Sequence, residues 1–206
     1  MRLILVRHGE TDWNQQRRVQ GMTDTPLNAT GRLQAQQVAQ ALHGEAVAAV
    51  YSSPLRRAWE TAAAVARVHG LDVQTVAALQ ELDQGELDGL SGAEMRARYP
   101  ALLQQWERDA THLKLPGGES MQELQDRAWG AIQVIAGQHP AETVVVVSHN
   151  LAILAILCKA LGLPLAHFRR LRMHVAAISR LDLRAPLATL ICFNDTCHLT
   201  GQGRPA

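Results

Sequence analysis

Cysteine is scarce in this sequence, its charges nearly cancel, and no apolar run is long. Cys158, Cys192 and Cys197 are the only cysteines among 206 residues. An odd number without zinc-type spacing supplies neither a disulfide framework nor a zinc site, and it points to a reduced, cytoplasmic protein. The formal charge is +1, which offers no field for gripping nucleic acid or an anionic membrane. The longest apolar region, 143–157, is interrupted by Ser148, His149 and Asn150, a poor transmembrane span. Too few apolar residues lie between Arg2 and Arg7 for a signal-peptide core, so no secretory leader is expected. No Gly-x-Gly-x-x-Gly, no P-loop and no Gly-x-Ser-x-Gly around Ser148 occurs, against nucleotide binding and a serine-hydrolase elbow. The nine histidines show no His-x-x-x-His spacing, which argues against a metal enzyme.

What is present suits one α/β domain over 1–206: a hydrophobic fraction of 47% is enough for a sizeable core. Leu3 to Val6 reads as a strand buried on both faces, and Thr143 to Val147, valine after valine, reads as another. Strands are also predicted at 47–52 and 71–78, and a final hairpin at 175–183 and 187–193 around Arg184, Ala185 and Pro186. Helices are predicted from about Leu33 to His43, where Gly31 punctuates the chain beforehand, and from Ser52-Ser53-Pro54 to His69. Ser91 with Glu94 and Ser120 with Glu123 are capping boxes that open a short and a long helix. Ala101–Asp109 is predicted as a short helix and 151–161 as a longer one. The stretch 12–25 reads as a loop, with Trp13 assigned to the core, and the tail after Leu199 as frayed. The order predicts a three-layer helix–sheet–helix sandwich, its central sheet mostly parallel with at least one antiparallel strand.

Charge and chemistry gather where these elements end. β-type residues stop abruptly at Arg7, His8 and Gly9, and ligands of open α/β sheets bind beyond the carboxyl ends of strands. Another apolar run leads to Glu81 and Asp83, and a third to Ser148 and His149. Arg57 falls in a first helical turn, beside free backbone N–H groups that favour an anion.

Together these segments resemble the histidine phosphatase superfamily, the phosphoglycerate-mutase-like proteins. LVRHGET at 5–11 resembles its signature, and YSSPLRRAWETA at 51–62 its second motif. ELDQGELDG at 81–89 is similar to the acid-bearing segment. PGGES at 116–120, VSH at 147–149 and NDTCHL at 194–199 are similar to later landmarks of the phosphatase branch. The resemblance implies that His8 is phosphorylated, that Arg7, Arg57 and His149 hold the phosphoryl group, and that Glu81 is the acid. It further implies substrate contacts from Asn14, Gln20 and Gly21, with Asn150 standing where glycine or alanine is commoner. Trp59, Glu60, Leu87 and Asp88 also depart from the family pattern, at positions where substrate choice could be altered.

The expected activity is therefore hydrolysis of small-molecule phosphate monoesters through a phosphohistidine, with no cofactor. Guanidinium groups would neutralise the phosphate oxygens in place of Mg²⁺. A cofactor-dependent phosphoglycerate mutase is the alternative within the same chemistry, and a non-catalytic phosphate-ester binder the alternative outside it. The short span between Glu81 and Glu119 leaves little room for the cap a mutase needs. Neither nucleic acid nor membrane is an expected partner, and periodicity leaves the oligomeric state, a homodimer included, open.

Overall fold

The structure, a computed structural model, describes residues 1–184 and 187–199. In chain order its elements are β1 (Arg2–Arg7), α1 (Asp12–Gln15), α2 (Ala29–Leu42), β2 (Val47–Ser52), α3 (Arg56–His69) and β3 (Val73–Thr75). Then come α4 (Gly92–Arg98), α5 (Pro100–Arg108), α6 (Met121–Gln138), β4 (Thr143–Ser148), α7 (Asn150–Ala160), β5 (Ile178–Asp182) and β6 (Thr189–Asp195). The strands form one sheet in the order β3-β2-β4-β1-β5-β6. The first four run parallel, β5 is antiparallel to β1, and β6 is antiparallel to β5.

Alternation along the central strands divides the apolar side chains between two cores, because successive Cβ atoms of a strand point to opposite faces. Leu3, Leu5, Val144 and Val146 pack with Leu124 and Ile132 of α6 and Ile153 and Leu157 of α7. Ile4, Val6, Val145 and Val147 pack with Val38 and Leu42 of α2 and Ala62 and Val65 of α3. Every residue of β4 is buried, as a strand covered on both faces requires. The chain leaves β1 toward α2 on one face and β4 toward α7 on the other. Arg7 and Ser148 are register partners at the two carboxyl ends, so a crevice opens between them at the switch point of the sheet.

Several boundaries differ from the sequence reading. The strand expected over 71–78 is only Val73–Thr75, because its neighbour β2 ends at Ser52, the partner of Thr75. A 3-10 turn, Ala77–Leu79, follows and buries Leu79, so Glu81 comes off a turn rather than a strand. The helix expected from Ser52-Ser53-Pro54 begins at Arg56, and its N-cap Leu55 has no side-chain bond; Asp24 Oδ1 accepts from Arg56 N at 2.7 Å instead. The 12–25 stretch contains the one-turn α1, opened by a capping box between Thr11 and Asn14, and Trp13 is half-buried rather than core. The capping boxes of Ser91 with Glu94 and Ser120 with Glu123 are both formed. Ala185 and Pro186 of the hairpin turn, and the tail from Thr200, lie outside the described residues.

Gly31 is the third residue of α2 rather than a break before it, held by a bond from its N–H to the Asn28 side chain at 2.8 Å. A Cβ there would stand 2.0 Å from the Glu10 carbonyl oxygen, and one at Gly9 would stand 2.5 Å from the Gly31 carbonyl oxygen. Backbone thus rests directly on backbone between the loop after β1 and the first turn of α2. Gly31→Ala should therefore destabilise the fold by about 2 kcal/mol or more, since backbone must move. Gly44→Ala, where an added Cβ meets nothing within 4 Å, should stay within roughly 0.5 kcal/mol. Urea unfolding of the two variants checks this; equal effects would contradict it.

Candidate active site

His8 follows β1 and is 3% exposed. Its backbone is held on both sides: its N–H donates to the Ser148 carbonyl at 3.0 Å, and its carbonyl accepts from Ala176 N at 3.0 Å. The ring Nδ1 lies 2.7 Å from the Gly9 carbonyl oxygen. A carbonyl can only accept, so Nδ1 carries the proton and Nε2 keeps its lone pair in the neutral ring. Burial, reinforced by the positive charges of Arg57 and Arg7, holds the imidazole well below the ordinary histidine value.

Two guanidinium groups converge on this ring. Arg7 donates from Nη1 to the Met173 carbonyl at 2.6 Å. Arg57, at the second position of α3, is fully buried. It donates from Nη1 to Thr23 O at 2.8 Å and from Nη2 to Gly21 O at 2.7 Å. Burial lowers both guanidiniums to about 10, partly opposed by the Glu81 carboxylate; both are cations at neutral pH. Their Nε atoms are buried without a hydrogen-bond partner among the described residues, as is Nδ1 of His149.

His149 is the N-cap residue of α7 and is fully buried. Its ring centroid lies 5.1 Å from that of His8, and its Nε2 lies 2.8 Å from Ser53 Oγ. Burial, then Arg57, depresses its pKa well below the ordinary value. Ser148, the neighbouring hydroxyl, donates to Leu79 O at 2.7 Å and is thereby committed to holding the 3-10 turn.

Glu81 is buried at the N-terminus of α7. Its Oε2 accepts from Leu151 N at 3.1 Å, and its Oε1 from Ala152 N at 3.1 Å and Leu82 N at 2.9 Å. Burial raises its pKa despite these bonds and both arginines. The segment around it is clamped by Arg127, which donates to the carbonyls of Ala78, Gln80 and Glu81 at 2.7–2.9 Å. Arg127 also forms a two-point ion pair with Glu119, and Glu119 accepts from Asp83 N at 2.9 Å.

The structure thus brings Arg7, His8, Arg57, Glu81 and His149 together. The other predicted residues surround them differently. Asn14 Oδ1 is occupied by the N–H of Thr11. Gln20 Oε1 accepts from the hydroxyls of Thr11 and Thr25. Gly21 contributes its carbonyl to Arg57. Asn150 opens α7 and lines, with Arg7, a neighbouring cavity.

Sequence reasoning missed three supports. Asp88 accepts from Gly21 N, Thr23 N and the Thr23 hydroxyl, each at 2.8 Å, and so fixes the carbonyls that seat Arg57. Thr61 accepts from Gly9 N at 3.1 Å and donates to Arg57 O at 2.8 Å. Arg127 carried no local signal, lying mid-helix in α6. His139, outside this centre, has Nε2 3.0 Å from the Tyr51 hydroxyl. Among the described residues, no three His, Cys, Asp or Glu gather so as to hold a metal ion, and no helix is long and apolar enough to cross a membrane.

Comparison with known proteins identifies the family. The model of the histidine phosphatase superfamily (branch 1) matches residues 3–196. Phosphoserine phosphatase 1 of Hydrogenobacter thermophilus is 34% identical over 97% of this chain and 94% of its own. A probable phosphoglycerate mutase of Salmonella choleraesuis is 36% identical over 88% of this chain and 85% of its own. Among solved structures, a mycobacterial glucosyl-3-phosphoglycerate phosphatase complexed with VO₃ superposes with a TM-score of 0.87 at 33% identity, covering 95% and 99% of the two chains. Bacillus stearothermophilus YhfR superposes with a TM-score of 0.90 at 29% identity, covering 96% and 98%. The chain belongs to branch 1 of the histidine phosphatase superfamily.

Proposed function

We propose that this histidine phosphatase hydrolyses small-molecule phosphate monoesters through a phosphohistidine on His8, without a metal ion. The observation that carries the reading is the His8 ring: Nδ1 is tied to the Gly9 carbonyl, which leaves the Nε2 lone pair for attack, and the ring feels the positive charges of the buried Arg57 and the half-buried Arg7. Arg7 and Arg57 neutralise the phosphoryl oxygens, and His149 adds a donor to them. The Nε2 lone pair attacks phosphorus as the ester P–O bond breaks. The leaving alkoxide takes the proton of Glu81, whose raised pKa keeps that acid available. Glu81, now a carboxylate, then accepts a proton from water as the water oxygen bonds phosphorus. The P–N bond breaks and its electron pair returns to Nε2. Two arginines supply the charge stabilisation that a divalent cation supplies elsewhere. The thiols of Cys158, Cys192 and Cys197 suit a reducing compartment.

The similarity to a probable phosphoglycerate mutase favours a second reading, in which the phosphoryl group returns to a sugar-acid hydroxyl. The short connection from Glu81 to Glu119 gives a released intermediate little cover, so water is the expected acceptor.

His8→Ala should lower p-nitrophenyl phosphate turnover by about 10³-fold or more, as removal of a nucleophile does; retention of most activity would refute the assignment. Glu81→Gln should slow alkyl esters at least about tenfold more than aryl esters, because only poor leaving groups need the proton. Equal losses would remove Glu81 from the acid role.

Protonation also links the site to stability. His8 and His149 have folded-state pKa values below the unfolded value, so unfolding takes up protons below about pH 6.5. Stability should fall there as pH falls, by up to about 1.4 kcal/mol per pH unit for each ring. Glu81 opposes this, since its raised value gives the folded state the higher proton affinity. Urea denaturation from pH 7 to pH 5 should show a shallower loss in the double variant His8→Asn, His149→Asn; an unchanged slope would contradict neutral rings.

A further inference from the structure

Beside the five converging residues lies a cavity of about 400 Å³ whose lining includes Arg7, Asn150, Phe168, Arg169, Arg172 and Met173. Three of its side chains are guanidiniums, and no carboxylate lines it. Arg7 is common to the cavity and to the phosphoryl site, so the two are neighbours that share its side chain. The wall is built by a 3-10 turn, Leu165–Arg170, and the segment leading from it to β5. That segment is anchored to the centre by the bond from Arg7 to the Met173 carbonyl.

Arg169 is held in place before any ligand arrives. Its guanidinium lies 4.8 Å from the Phe168 ring centroid and 5.4 Å from that of Trp106, and it donates to the Trp106 carbonyl. Glu107 and Asp109 act on it from the end of α5, but neither lines the cavity, and neither forms an ion pair with it among the described residues. A stacked, pre-oriented guanidinium binds an oxyanion with little ordering cost.

We infer that this cavity is a subsite for a second anionic group on the alcohol portion of the substrate, received by Arg169 and Arg172. The inference rests on the phosphatase reading and narrows it: the substrates favoured are phosphate monoesters that carry another anion. A carboxylate and a second phosphoryl group share the chemistry that two arginines recognise.

Three matched esters test it: propane-1,3-diol monophosphate, whose far end is neutral, 3-phosphonooxypropanoate, which ends in a carboxylate, and propane-1,3-diol bisphosphate. At least one charged ester should show kcat/KM about tenfold or more above the neutral one, the low end of one charge-assisted hydrogen bond. Whichever is preferred identifies the anion. That preference should fall severalfold in Arg169→Gln, in Arg172→Gln, or in both. The readout is a ratio measured within one enzyme sample, so a smaller folded fraction does not alter it. Equal kcat/KM for all three esters in an enzyme that turns over p-nitrophenyl phosphate would overturn the subsite alone, as would a preference surviving in both variants. No turnover of any phosphate ester would overturn the phosphatase reading and this inference with it.

Discussion

The parallel ladder between β1 and β4 is the constraint on which the remainder depends. It sets Arg7 opposite Ser148, and the next residue on each strand is a histidine. A bond from His8 N to Ser148 O extends this ladder one step past the strands, and one from Ser53 N to Val147 O does the same for the neighbouring β2–β4 ladder. The two rings therefore meet because backbone pairing places them, not because they attract each other. Two apolar strands with interiors buried on both faces, β4 of them rich in valine, give that pairing a rigid base, and ligands of such sheets bind where neighbouring strands send their chains to opposite faces.

Burying Arg57, His8 and His149 beside a half-buried Arg7 is costly unless their charges and polar atoms are managed. The structure manages them unequally. The guanidiniums keep their charge because backbone carbonyls of Gly21, Thr23 and Met173 accept from them. The imidazoles, facing those same cations, are neutral. Glu81 is pulled both ways: helix N–H groups and arginines favour its carboxylate, while burial favours the acid, and burial dominates. One buried environment thus shifts the imidazoles toward the neutral form and the Glu81 carboxyl toward the acid, the direction that a separation of acid and base roles at a shared centre requires. Asp88, Thr61, Glu119 and Arg127 stand behind these groups and fix loops rather than side chains of the centre itself.

Much of this was legible in the chain. Thr143 to Val147 could be little else than a buried strand, and Ser91, Glu94, Ser120 and Glu123 announced their helices through local chemistry. Arg7, His8, Arg57, Glu81 and His149 were recognisable because each follows an abrupt change from apolar to charged sequence or matches a family motif. What escaped depended on partners distant in sequence. The strand at Val73–Thr75 stops early because β2 stops, which its own residues do not encode. Asp24 caps α3 across 32 positions. Asp88 stood out only as a departure from the family pattern and Arg127 not at all, because both do their work through carbonyls and N–H groups that any residue type would supply. Gly31 read as punctuation because its real constraint, contact with the backbone at Glu10, is visible only once the loop is closed.

The most direct test of the account is chemical identification of the phosphorylated atom. After brief reaction with a ³²P-labelled ester and quenching in base, the label should be retained on a peptide containing His8, survive alkali, and be lost in acid, as an N-linked phosphate is. Label that is stable in acid and lost in base, or label on a peptide lacking His8, would contradict the central claim.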